Sequence, residues 1–126
     1  MGICRQFSLI LLLLISGLTS ASTFVDLQPA FIVNYNDGKR LHYLKVEITL
    51  QTTDDDMASS EITYHADYLR HKLIMLLSSQ KADNFSTIEG KEKIKEEALV
   101  SLQEVMVQET GKPMIDKVLF TSFVVQ

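Results

Sequence analysis

The residues able to do chemistry are few and badly placed to do it together. Three histidines lie beyond the first 21 residues: His42, His65 and His71. His65 and His71 are six positions apart, which on a helix turns them about 120° away from each other, whereas metal-binding pairs sit at i,i+3 or i,i+4. Asp54, Asp55 and Asp56 are adjacent, but calcium loops put carboxylates at alternate positions with a glycine and a distal glutamate. The aspartates are therefore expected to cap the helix that follows. The lone cysteine, Cys4, precedes an apolar run, so removal of that run leaves no thiol for a disulfide or a nucleophile. No serine stands in a Gly-x-Ser-x-Gly turn, and the five glycines are too scattered for a phosphate loop. Asn84-Phe85-Ser86 is a formal glycosylation acceptor, relevant only to a eukaryotic chain. Glu96 and Glu97 belong to a charged helix face. These patterns predict no catalytic residue, no cofactor and no metal.

What remains is a surface. The spacing predicts a helix over Asp56–Gln80 whose Ile62, Ala66, Leu69, Leu73 and Leu76 form a core-facing stripe. Nearly opposite lie Met57, Tyr64, Tyr68, His71 and Met75. Two tyrosines and two methionines are more than a solvated face needs. Either the following connector and helix fold over them, or they form an interface with another subunit or protein, where tyrosine and methionine are favoured.

The other elements must hold that helix in place. Phe31–Tyr35 is a short β-rich run, and Asn36-Asp37-Gly38-Lys39 is a turn signal. Arg40–Gln51 then alternates, with Leu44, Val46, Ile48 and Leu50 inward and Tyr43, Lys45, Glu47, Thr49 and Gln51 outward. Phe85 is expected to anchor the connector after the first helix. Ser86-Thr87-Ile88-Glu89 fits a capping box, or Thr87 is itself the cap of a second helix running to about Glu109. Ile94, Ala98, Leu99, Leu102, Val105 and Met106 supply its buried side; Gly111 and Pro113 end it. Lys117–Val125, apolar on both faces, is expected to be the central strand. The predicted fold is α+β, order β-β-α-α-β: a three-stranded sheet, hairpin plus C-terminal strand, packed by two main helices.

Length allows one domain in 126 residues. Residues 1–21 are expected to be an export signal: Arg5, the apolar run Leu9–Ile15 and the small residues Thr19-Ser20-Ala21. The run is short of the roughly 20 residues that span a bilayer; a retained membrane anchor is the alternative. Residues 22–126 are then the functional domain. Formal charge is −4, without the lysine–arginine cluster that nucleic acid or an anionic membrane surface would need.

Four blocks resemble the FliL family of flagellar basal-body-associated proteins. Leu27-Gln28-Pro29-Ala30-Phe31-Ile32-Val33-Asn34 is similar to its opening strand, and Arg40–Leu50, with Tyr43-Leu44-Lys45-Val46, to its second. Leu73–Ser79 with Thr87-Ile88-Glu89-Gly90-Lys91 is similar to its helix end and the Glu-Gly-Lys opening the next helix, and Val118–Gln126 to its closing Phe-Val-Val-Gln. The resemblance implies a periplasmic domain with a stomatin- and prohibitin-like fold. It implies no catalytic residues, association with flagellar motor and stator proteins, assembly into homo-oligomeric rings, and support of motility. Membrane association would come through partners or an uncleaved N-terminal segment. Ser122 stands where the family often has an acid. Two other readings suit the same elements: a stomatin-like periplasmic scaffold or adaptor of a non-flagellar envelope complex, and a small secreted inhibitor domain.

Overall fold

In the computed structural model of this chain, residues 23–126 are described; the export signal expected at 1–21 lies outside them. Three strands, β1 (Phe24–Asn36), β2 (Leu41–Thr52) and β3 (Ile115–Val125), form one antiparallel sheet in the order β1-β2-β3. One face carries the helices: α1 (Ala58–Tyr64), α2 (Ala66–Ser78) and α3 (Ile88–Thr110), with a 3-10 turn at Ala82–Phe85 between α2 and α3. This is the expected α+β architecture, with α2 and α3 as its main helices.

The centre of the sheet is β2, not the C-terminal strand as expected. A sheet covered on one face only needs a central strand that alternates. In β2, Leu44, Val46, Ile48 and Leu50 are all buried while Tyr43, Lys45 and Glu47 are exposed. β3 is an edge, and its terminal Val124 and Val125 are exposed. Its aromatic residues instead serve a flank of the core: the Phe123 ring lies 5.8 Å from Phe120 and 6.3 Å from Phe85, with the Lys91 ammonium 4.8 Å above it.

β1 begins seven residues earlier than the β-rich run suggested. It carries a register break between Leu27 and Phe31 and a cis peptide at Gln28–Pro29. Proline has no N–H for the ladder and is confined to edges and bulges; β1 offers both. Asp37 shapes the β1–β2 turn, its carboxylate accepting the N–H groups of Lys39 and Arg40 at 2.8 and 2.9 Å.

The helix expected over Asp56–Gln80 is two helices meeting at His65, whose backbone (φ −96°, ψ 12°) leaves the helical region. The bonds His65 N–H to Glu61 and Leu69 N–H to His65 survive at 3.0 Å each, so the join is a kink. Past it the buried positions run Leu69, Leu73, Leu77. A pure i,i+4 progression drifts around a helix of 3.6 residues per turn. Leu76, expected in the core, therefore falls on the rim, and Leu77 takes its place. The aspartates cap only in part: α1 has no side-chain cap, although Asp55 accepts the Met57 N–H at 2.8 Å.

Thr87 is the cap of α3, its hydroxyl oxygen accepting the Gly90 N–H at 3.0 Å. Gly111 closes the helix in the left-handed conformation. Ile94, Ala98, Leu102, Val105 and Met106 are buried against β3 and α2, Leu99 packs on the rim, and Phe85 plugs the end of the helical layer.

Candidate protein interface

The kinked α1–α2 pair of the helical layer presents its polar-side stripe to solvent. Met57 precedes α1, Tyr64 ends it, and Tyr68, His71 and Met75 lie on α2. Tyr64 is 83 % exposed, Met75 58 %, Met57 56 % and Tyr68 38 %, and His71 is exposed as well. Neither the 3-10 turn nor α3 folds over the stripe, which removes the alternative that they wrap over part of it. The reason is α3's position: it runs along the opposite flank of α2, where Gln80 donates to Glu97 at 2.9 Å.

Local contacts stiffen the stripe. The Tyr64 ring meets His65 edge-on at 4.9 Å, and His65 Nε2 lies 3.5 Å from the Glu61 carboxylate. The Lys72 ammonium sits 5.9 Å from the Tyr68 ring. Beneath, Arg70 fastens α2 to β1. Its Nη1 donates to the Pro29 carbonyl at 2.6 Å, and its guanidinium stacks 4.1 Å from the centre of the Phe31 ring. An aromatic, thioether-rich surface on a fixed helix pair is suited to binding another protein.

The histidines are dispersed. His42 contacts Asp37 through Nε2 at 2.7 Å and stacks on Tyr35; His65 belongs to α1's end; His71 faces solvent. Among the described residues no three of His, Cys, Asp and Glu are grouped to hold a metal ion. Backbone N–H groups of Arg40 and Lys39, with the His42 contact, hold the Asp37 carboxyl down at about 2. Asp37 sits on an open turn, and its role there is to fix the turn.

Sequence reasoning missed other outward apolar side chains: Ile74 on α2, Val100 and Val107 on α3, and Ile32 and Leu41, which join Tyr43 on the uncovered sheet face. Ile32 and Val124 both register with Lys45. Strand alternation already put Tyr43 outward; the rest are single apolar residues in polar surroundings, which carry no signal of their own. No described helix is long and apolar enough to cross a membrane.

Comparison with known proteins gives this surface a context. A family model described as "Flagellar basal body-associated protein FliL" matches residues 24–126. The flagellar protein FliL of Aquifex aeolicus (strain VF5) is 31% identical over 100 residues, covering 79% of this chain and 59% of that protein. The flagellar protein FliL of Escherichia coli (strain K12) is 28% identical over 96 residues, covering 76% of this chain and 60% of its own length. The chain thus spans about three fifths of the length of these curated relatives. With the match running from the first residues of β1 to the C-terminus, the chain belongs to the FliL family of flagellar basal body-associated proteins, a family of accessory structural proteins and not of enzymes.

Proposed function

We propose that this protein acts in the periplasm, at the flagellar basal body near the inner membrane, by associating with copies of itself and with stator components of the motor, so supporting motility. The observation that carries the reading is the exposed stripe Met57, Tyr64, Tyr68, His71 and Met75, left open by the chain's own helices in a member of a flagellar family. Family membership supports the motor as the setting; the stripe supports contact rather than catalysis as the work. An export signal or anchor at residues 1–21 would deliver the domain to that compartment. We take the β-β-α-α-β domain as stomatin-like and as the repeating unit of a ring.

The test joins two measurements. In the parent organism, Tyr64→Ser with Tyr68→Ser is expected to shrink spreading in soft agar. The purified double variant is expected to sediment at lower mass than the parent protein while keeping its circular dichroism spectrum. Unchanged assembly with the fold intact would remove the stripe from the proposal. Normal swimming and swarming of a deletion strain would overturn the flagellar role.

A further inference from the structure

α3 turns a second surface outward, chemically unlike the first. Val100 and Val107, both about half exposed, stand seven residues apart and so share one side of the helix. Val100 lines a trough of about 470 Å³ together with Leu76 of α2. A second trough, about 460 Å³, abuts it across Val100 and Glu104 and continues to Val107 and Pro113. From Glu96 to Gln108 the helix advances about 18 Å, enough to lie beside three turns of another helix.

The walls are carboxylates: Glu96, Glu97 and Glu104, with no lysine, arginine or histidine lining either trough. Glu97 is engaged, accepting from Gln80 at 2.9 Å and lying 3.8 Å from the Lys93 ammonium. The carboxylates of Glu96 and Glu104, flanking Val100, enter no ion pair or hydrogen bond among the described residues. An apolar lining between unpaired carboxylates rejects acidic partners and favours one whose apolar ridge is flanked by cations. Heptad spacing of the two valines matches the knobs of a helix laid along the groove. A second copy is a poor occupant: the chain is acidic, and of the lysines beside its exposed stripe Lys72 lies against Tyr68 while Lys112 is already paired with Asp55.

We propose that the α2–α3 trough docks a basic amphipathic helix of a partner protein, with apolar side chains over Val100 and Val107 and lysine or arginine paired to Glu96 and Glu104. This surface is distinct from the α1–α2 stripe, and the two can be tested apart.

The probe is a fluorescent 15-residue peptide with leucines at heptad spacing and lysines beside them, titrated with the purified full-length chain at near-physiological salt. Its control has the same composition with the leucines spread around the helix. Saturable binding of the amphipathic peptide is expected, weakened about tenfold or more by Val100→Ser and by Glu96→Lys with Glu104→Lys, as loss of an anchor or reversal of paired charges should do. Glu47→Lys with Asp116→Lys makes the same charge change on the sheet and is expected to leave affinity within about twofold. All these side chains are exposed, so the variants retain the fold, as circular dichroism would verify. Absence of saturable binding, equal binding of the control peptide, or equal weakening by the sheet variant would overturn the proposal. So would a change in the chain's own sedimenting mass on reversing Glu96 and Glu104, which would make the trough a contact between copies. The tyrosine double variant leaves the trough intact, so failure of the stripe and failure of the trough are separate results.

Discussion

Gly90 of α3 is pressed against the backbone of Asn84. A β-carbon at position 90 would lie 2.5 Å from the Asn84 Cα and 2.6 Å from its carbonyl oxygen. Gly→Ala within a helix normally gains about 0.5–1 kcal/mol. Here the two nearest atoms in the way belong to backbone, which cannot rotate aside, and the third is the Thr87 hydroxyl that caps the helix, so the clash outweighs the gain. The glycine lets the Ala82–Phe85 turn pack on α3 and seat Phe85 in the core. Gly90→Ala is expected to lower stability by about 1–3 kcal/mol, the usual cost of overpacking. A urea melt showing unchanged or higher stability would mean that the turn is free to move off the helix.

The drift of the buried stripe along α2 makes a second prediction. Leu73 and Leu77 are each 1% exposed, whereas Leu76 packs only on the core's rim. Leu73→Ala and Leu77→Ala should each cost about 2–5 kcal/mol. Leu76→Ala should cost roughly half as much or less, since part of its surface is already hydrated. Denaturant melts of the three variants rank them directly. Leu76→Ala falling level with Leu77→Ala would put the wrong side of α2 inward.

The same two leucines show how far the amino-acid sequence could be read. Strand β2 was legible because alternation over Leu44–Leu50 admits one core face, although Thr49, expected outward, is buried with its hydroxyl donating to Asp26 at 2.6 Å. Thr87 and Gly111 were legible because caps are local chemistry. Leu76 and Leu77 are equally hydrophobic neighbours, and only the kink at His65 and the position of α3 choose between them. Sheet order failed for a related reason. The apolar residues of β3 signal contact, but not whether that contact is another strand or the Phe85–Phe123 flank. The stripe of Tyr64, Tyr68 and Met75 was visible as a pattern. Its exposure was not, because whether α3 covers it depends on which flank of α2 the chain returns along. The trough beside Val100 needed two helices in place before its parts came together.

Arg70 should resist conservative replacement. It donates to the Pro29 carbonyl at the β1 irregularity and stacks on Phe31 at the same time. A planar guanidinium does both; a lysine ammonium on a flexible stem does not. Arg70→Lys is expected to lose about 1 kcal/mol and Arg70→Ala about 1–2 kcal/mol, from the charged hydrogen bond and the cation–π contact at a partly exposed site. Recovery of full stability by the lysine would reduce the interaction to charge alone.

Acid should act on the β1–β2 turn through Asp37. The folded turn holds this carboxyl at about 2, below its ordinary 3.8, chiefly through N–H groups of Arg40 and Lys39 and secondarily through His42. A depressed carboxyl favours the folded state wherever it is ionised in both states, so its contribution is complete above about pH 4. That contribution drains away as pH falls from 3.8 toward 2 and is gone below, where both states are protonated. Asp37→Asn keeps an acceptor for the same N–H groups but removes the charge. The variant should be less stable than the parent protein at pH 6, with the difference closing between pH 4 and 2. Other carboxyls, Asp55 held low by Lys112 among them, are common to both proteins and cancel in the comparison. Thermal midpoints at pH 6, 4, 3 and 2 give the measurement. A difference that stays constant to pH 2 would assign the effect to the shape of the side chain instead of its charge.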